Sequence, residues 1–420
     1  MEMETADVDL VSTGWNDLPD DLQMKILSWL PVECVYSFRI VSKEWKDLLS
    51  SDSFLTRWSE VSNNPRLVLC DMNPETPWMS FCFETRSWIK PCFTLSFLKD
   101  SMPHTSIIMS SDQGLCLVRP FLGRFLIVCN PYTQTFVEIP PPPSREWGYE
   151  QIVVDENKHW RSETAYKVVA VGHTNGSERV GVHIYEASQK RWNFAGYLPD
   201  DVILPRFNSL LFCNGSFYCY WKTAAAAAGR NSGWRVLGFT IPLEGNGNGN
   251  GNGSDIIPVQ VLVPFPEIVR EVDLVVDPLM ITCRSRLLLI ATKRMPVRVR
   301  PRGRGRRGRV KQEVVIILWE LRNDEWVEIT RMPPLVCREW MNKILVDKEC
   351  NFCYGVGDHV CFVALSLESE QRIVVLDYNL IDNTWNWLPS CPTSVAVGEE
   401  EAAFFEFTMA FQPRPYMKVE

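Results

Sequence analysis

Two regimes of hydrophobic patterning divide this chain. Between residues 15 and 58 the apolar residues recur at helical spacing, whereas from about residue 65 onward they come in short runs broken by Gly, Pro, Asn and Asp. In the first regime Leu22, Ile26, Trp29 and Leu30 fall on one helical face. Pro19 suits a first helical turn, where its missing N–H is not needed, and Asp20 and Asp21 place negative charge at the positive end of the helix dipole. Pro31 ends that helix. A second short helix is expected from Val32 to about Ile40. Ser42 is the N-cap expected for a third, which carries Trp45, Leu48 and Leu49. Residues 15–60 therefore read as a three-helix module, preceded by an acidic, disordered stretch over 1–14. A module of roughly 40 residues seldom builds a self-sufficient core, so its apolar surface calls for a helical partner.

The second regime repeats. Its unit is a β-rich run, a polar turn, an aromatic, then a proline. It appears as Ile184-Tyr185 to Trp192 with Pro199, as Leu318-Trp319 to Trp326 with Pro333, and as Leu376-Asp377 to Trp385 with Pro389. Weaker copies lead to Phe136 with Pro140 and to Trp88 with Pro91, and a degraded one runs from Leu237 through Val261. The landmarks Trp88, Phe136, Trp192, Val259, Trp326 and Trp385 are spaced by 48, 56, 67, 67 and 59 residues. Propeller blades of the kelch type repeat at roughly 50 residues, so these spacings fit blades with loop insertions. A small sheet cannot bury both its faces alone; arranged radially, such sheets cover one another. Residues 61–415 thus read as a kelch-like β-propeller of about six blades, with each landmark aromatic filling the space between neighbours. Further strands are expected in the runs that begin at Gly114, Cys213, Arg286 and Val360, each with a turn residue just before it. The final run from Phe404 has no repeat of its own and is expected to pair with Leu67-Val68-Leu69 and close the ring.

Three inserts interrupt the repeats, over 222–234 (alanine-rich), 244–255 (Asn/Gly) and 296–311 (arginine-rich). Charge is segregated along the chain. Residues 1–60 hold 12 acidic and 5 basic side chains, and residues 294–311 hold 9 basic and no acidic ones, within a total of −8. The two segments call for different partners. Arg300, Arg302, Arg304, Arg306, Arg307 and Arg309 form a candidate nuclear-import run; the competing readings are a solvated loop and, less favoured, a phosphate grip.

Composition narrows the chemistry. With 5 His in 420 residues, a site of clustered imidazoles is not expected. The 14 Cys, spread over a long chain, read as buried thiols of a reducing compartment. No apolar stretch approaches the ~20 residues of a membrane helix. Phosphate-loop, dinucleotide, nucleophile-elbow and zinc-protease motifs are all missing from the chain. Cys350, Cys353, His359 and Cys361 have zinc-like spacing, but small thiols in apolar strands are more simply core residues. Ser110-x-Asp112-x-Gly114 reads as a turn feature. No catalytic residue, metal or cofactor is expected.

The helical segment resembles the F-box motif, through Leu18-Pro19-Asp20-Asp21-Leu22, Ile26-Leu27, Leu30-Pro31, Phe38-Arg39, Val41-Ser42-Lys43-x-Trp45 and Ser53-Phe54-Leu55. The resemblance implies docking on a Skp-type adaptor and, through it, a cullin–RING ubiquitin ligase. Leu18, Pro19, Leu22, Ile26, Leu30, Pro31, Val35 and Trp45 are then the adaptor-contacting or motif-core positions. The ring resembles plant-type F-box/kelch proteins, including the Unusual Floral Organs subgroup, through Ser111-Asp112-Gln113-Gly114-Leu115, Cys129-Asn130-Pro131, Asn214-Gly215-x-Phe217-Tyr218, Trp326-Val327-Glu328-Ile329-x-x-Met332-Pro333 and Trp385-x-Trp387-x-Pro389. Together these imply a non-catalytic substrate receptor of a Skp–cullin–F-box ligase, nuclear or cytoplasmic, that holds a target protein on the propeller. The alternative is an interaction scaffold that recruits no ligase.

Overall fold

A computed structural model describes residues 15–61, 65–70, 78–89, 94–101, 106–120, 124–143, 149–154, 166–173, 179–199, 210–222, 234–241, 259–266, 274–275, 277–299, 309–344, 351–366, 373–392, 407–411, 414, 417 and 419. The acidic stretch 1–14 and the Asn/Gly insert lie outside them. The chain divides into two compact units, one of Met1–Asn64 with Pro413–Tyr416 and one of Pro65–Gln412 with Met417–Glu420.

The first unit opens with a 3-10 turn, Trp15–Asp17. Helix α1 spans Asp20–Ser28, α2 Val32–Phe38, α3 Lys43–Ser50 and α4 Asp52–Val61. The expected caps are in place: Asp20 and Asp21 occupy the first turn of α1, and the Ser42 hydroxyl accepts the Trp45 N–H at 3.2 Å. The fourth helix corrects the expected count of three. Ser51, extended at φ −69° and ψ 144°, ends α3, and its hydroxyl then accepts the Phe54 N–H to start α4. Helix α4 supplies the bulk of the core that three helices lacked. Phe54 and Trp58 are buried against the company of Leu27, Val32, Val35 and Leu49, and the Trp58 indole N–H donates to the Leu30 carbonyl at 3.0 Å.

The second unit is a ring of six four-stranded antiparallel sheets. In chain order the strands are β1 Arg66–Cys70, β2 Met79–Cys82, β3 Ser87–Ile89, β4 Ser106–Asp112, β5 Leu115–Pro120, β6 Leu126–Asn130, β7 Thr135–Ile139, β8 Tyr149–Val154, β9 Tyr166–His173, β10 Val180–Glu186, β11 Arg191–Tyr197, β12 Leu211–Cys213, β13 Ser216–Lys222, β14 Trp234–Phe239, β15 Val259–Pro264, β16 Leu279–Cys283, β17 Arg286–Val299, β18 Arg309–Arg322, β19 Glu325–Arg331, β20 Asn351–Val356, β21 His359–Leu365, β22 Ile373–Asn379, β23 Thr384–Trp387 and β24 Phe407–Phe411. Five blades take four consecutive strands each. The first takes β24-β1-β2-β3, so the last strand pairs with the first, Leu67 opposite Ala410 and Cys70 opposite Phe407. The closing strand expected near Phe404 has this role.

All six landmarks lie on the outermost strand of their blade. In five blades a non-glycine residue with positive φ stands two positions earlier: Arg86, Gln134, Lys190, Asp324 and Asn383. That left-handed residue makes the polar turn tight enough to return the chain as the outer strand. The apolar clusters sit between blades. One joins blades three and four, another four and five, another five and six, and the last joins blade six to blade one. Inner strands approach even more closely: a methyl at Gly355 of β20 would overlap the Thr282 carbonyl oxygen of β16.

The recurring proline has a polar reason too. The Trp88 indole N–H donates to the Pro389 carbonyl at 2.7 Å, and the Trp192 indole N–H donates to the Pro140 carbonyl at 2.8 Å. In both cases the tryptophan of one outer strand latches onto a proline one or two residues past the end of the preceding blade's outer strand. Trp88→Phe and Trp192→Phe keep the ring but lose the donor, and each is expected to lower stability by about 1 kcal/mol in urea unfolding. The run Ser110-x-Asp112-x-Gly114 ends in the expected turn, at Gln113-Gly114, but Ser110, Ser111 and Asp112 do more. The Ser110 hydroxyl accepts the Ile152 N–H and Asp112 Oδ2 the Val154 N–H, while the Ser111 hydroxyl donates to the Ala410 carbonyl. This short run staples the inner strand of blade two to both neighbours.

Two further elements depart from expectation. Helix α5, Pro334–Lys343, lies between blades five and six and buries Cys337 and Trp340, with Trp340 against Phe362 and Trp387. The arginine-rich insert is narrower than 296–311. Strands β17 and β18 stay paired out to Val299 opposite Arg309, because Val297, Val299 and Val310 carry β-propensity into it.

Candidate functional site

The helical unit presents apolar side chains that its own core leaves uncovered. Leu22 is 44% exposed, Ile26 48% and Trp29 71%. Their spacing of four and three residues puts them in one stripe along α1. Ile40 and Val41, in the turn after α2, are 88% and 62% exposed. Large apolar side chains left exposed in a stripe mark an interaction surface. Of the positions expected to contact an adaptor, Pro19, Leu22, Ile26 and Pro31 are exposed, and Leu18, Leu30 and Trp45 are half-buried. Val35 is 1% exposed; its side chain has no surface to offer and serves the core. Trp29, Ile40 and Val41 belong with the exposed set although sequence reasoning left them out of the candidate residues. Trp29 had a signal, being one helical turn beyond Ile26, whereas Ile40 and Val41 sit in a turn and follow no period.

The geometry around this patch is held by polar contacts. Gln23 donates its side-chain amide to the Leu18 carbonyl at 2.8 Å and to the Trp15 carbonyl at 3.3 Å, which fixes the Leu18-Pro19 approach to α1. Trp45 packs on Trp15 and Phe38, with ring centroids 5.1 and 5.3 Å apart. Arg39 donates to the Leu49 carbonyl at 2.9 Å, tying α2 to the end of α3. Arg57 pairs with Asp21 at 2.5 Å, joining α4 to α1.

In the ring, the titratable groups are arranged for structure. Cys353 and Cys361 are buried in blade six, and burial pushes both thiols well above their ordinary pKa, the reverse of what a thiolate ligand needs. His359 is held by Asp377, Nδ1 lying 2.9 and 3.1 Å from its two carboxylate oxygens, and stacks on Phe83 of blade one at 3.9 Å. Among the described residues no group of three His, Cys, Asp or Glu is placed to hold a metal ion. Cys350 lies outside those residues.

One buried charge has a measurable consequence. Glu150 of β8 pairs with Arg119 of β5 across blades two and three, and burial raises its carboxyl to about 7. A raised carboxylate pKa favours the protonated, folded form. Its stabilising contribution is complete below about 4.5 and is lost as pH rises to about 7, a change of about 3 kcal/mol. In Glu150→Gln that part of the pH dependence should vanish, so urea unfolding at pH 5 and pH 8 should differ less than in the parent chain. An unchanged difference would show that Glu150 is ionised at no cost.

The topology separates two faces of the ring. In a four-stranded meander the turns between strands one and two and between three and four share one face. The links between strands two and three, and those between blades, share the other. Among the described residues the first face carries two- to four-residue turns, at Gln113-Gly114, Asn214-Gly215, Arg284-Ser285 and Asn323-Asp324 among others. Among the described residues the second face carries α5 and the far ends of β17 and β18. Of the candidate import run, Arg309 begins β18, and Arg300, Arg302, Arg304, Arg306 and Arg307 lie outside the described residues.

Residues 15–57 match the F-box domain family. Along most of its length the chain is similar to plant proteins that bear that domain's name. F-box only protein 6 of Arabidopsis thaliana is 24% identical over 387 residues, covering 90% of this chain and 70% of that protein. An F-box/kelch-repeat protein of the same plant is 23% identical over 387 residues, covering 90% and 83%. F-box only protein 13 is 24% identical over 428 residues, covering 95% and 84%. An N-terminal F-box followed by a six-bladed propeller is therefore the architecture of this chain.

Proposed function

We propose that this protein is a substrate-recognition subunit of a Skp–cullin–F-box ubiquitin ligase. The observation that carries the reading is the exposed stripe of Leu22, Ile26 and Trp29 within the matched F-box. A Skp-type adaptor lays a helical surface over that stripe and over Pro19 and Pro31. The propeller holds a target protein, and the bond-making belongs to other subunits. The contribution of this chain is positional: tethering raises the local concentration of target lysines near the charged conjugating enzyme. The target meets the face that carries the inter-blade connections, since loops there vary without cost to the blades. Assignment to the Unusual Floral Organs subgroup, and a place in the nucleus or the cytoplasm, extend the same reading.

The test is co-purification of the full chain with a Skp-type adaptor. Leu18→Ala combined with Pro19→Ala should abolish it. Retention of the adaptor at parental yield by that variant would show that the docking surface lies elsewhere.

A further inference from the structure

Strands β17 and β18 outgrow their blade. Their twelve register pairs run from Leu288 opposite Glu320 to Val299 opposite Arg309, against seven in the longest central pairings of blades three and six. Flanking strands stop early. Strand β16 accompanies β17 only to Ile290, and β19 accompanies β18 only from Ile317. A lone bridge, Leu274 to Lys293, is the last backbone pairing beside β17 among the described residues. Beyond it six pairs, Arg294 opposite Val314 through Val299 opposite Arg309, form a two-stranded ribbon. At about 3.4 Å per residue it is about 20 Å long, and its first pair is held at the ring, with Val314 packed on the core between blades five and six and its carbonyl accepting from Cys337 of α5.

The chemistry of this ribbon is specific. Its twelve residues are Arg294, Met295, Pro296, Val297, Arg298 and Val299 on one strand and Arg309, Val310, Lys311, Gln312, Glu313 and Val314 on the other. Four of the twelve are basic and one is acidic, in a chain whose total charge is −8. Arg294 and Gln312 are exposed, and Glu313 is engaged by Arg338 of α5 at 4.0 Å, which leaves the balance more basic still. Over Arg309–Glu313 no further strand pairs with β18 among the described residues. That edge has backbone donors and acceptors to offer, and Val310 stands between Arg309 and Lys311 along it.

We propose that this ribbon is the contact arm for the target, and that it takes an extended acidic peptide segment. The proposal rests on the receptor reading above and names the chemistry of its target. A polypeptide can add to the open edge through main-chain hydrogen bonds while its carboxylates meet the arginines. Its apolar side chains have Met295 and the valines to cover. A nucleic acid would use the charge alone, because the ribbon carries no aromatic residue on which a base could stack.

The experiment uses the full chain and a fluorescent twelve-residue peptide of alternating Glu and Val, read by anisotropy. The peptide should bind, its Lys/Val counterpart should not, and binding should weaken at least tenfold in Arg294→Glu/Arg298→Glu/Lys311→Glu. The single variant Arg294→Gln, at an exposed position, should weaken it two- to threefold if the triple variant fails to fold. Equal binding of the two peptides, or no loss in the variants, overturns the proposal, as does tighter binding of a twelve-nucleotide single strand. Adaptor co-purification is measured on the same samples. If it persists while peptide binding is missing, only the ribbon assignment falls; if the parent chain fails to co-purify, the receptor reading falls while the peptide result stands.

Discussion

Replacing Leu22, Ile26 and Trp29 together by serine is expected to abolish adaptor co-purification while leaving the unfolding transition of the chain where it was. The three side chains are 44%, 48% and 71% exposed, so the fold has little invested in them. Covered by a partner, each contributes about 1.5–3 kcal/mol before association costs. Losing even about 4 kcal/mol lowers affinity by about a thousandfold. Val35→Ala is the contrasting variant. Its side chain is buried, so it should lower the stability of the helical unit by about 1–2 kcal/mol and weaken docking only through that loss. If the triple-serine chain retains the adaptor, the α1 stripe is not the docking surface.

The second large effect is expected at the seam of the ring. Phe411→Ala should destabilise the propeller by about 3–5 kcal/mol. Phe411 is 1% exposed at the end of the closing strand, opposite Arg66. It packs edge-on to Trp78 of blade one, with ring centroids 6.4 Å apart, and stacks on Tyr132, in the β6–β7 turn of blade two, at 5.8 Å. The seam is where the ring has no covalent connection between inner and second strand, so only side-chain packing and the β24–β1 pairing hold it. Asn130 adds a tie by donating to the Met417 carbonyl at 2.9 Å. Phe136→Ala, at a 40% exposed rim position, should cost under about 1 kcal/mol in the same denaturation series. Equal effects at the two sites would mean that the closing strand does not bear the load of closure.

The ring was legible in the sequence because its signal is repeated. One aromatic two positions after a left-handed turn means little, but five of them on outer strands at blade spacing define a topology. The degraded blade was legible only through its neighbours, since β14 and β15 are separated by the Asn/Gly insert. Helix α4 was missed although Ser51 is a good N-cap, because α3 and α4 abut without a proline or glycine to part them. Helix α5 was missed because Val336, Cys337, Trp340 and Met341 make too short a helical period to stand out among strands. The Ser110-Ser111-Asp112 staple had no sequence signal of its own. Its partners lie over forty residues away in Ile152 and Val154, and about three hundred away in Ala410.

The docking module shows the same division at the level of single residues. Leu22 and Val35 are both apolar and both fall on motif positions, yet one is 44% exposed and the other 1%. Pattern determines that a residue is apolar and which helix face it shares. Whether that face is covered depends on α4, whose Phe54 and Trp58 fill one side of the bundle and leave the α1 stripe bare. The sequence alone determined an F-box of short helices, a ring of about six blades and a closing strand, since each follows from local periodicity and repetition. The tertiary structure decided which apolar residues remain free, which blade neighbours are latched and how far the basic ribbon reaches. These depend on contacts between segments far apart in the chain, which no local period encodes.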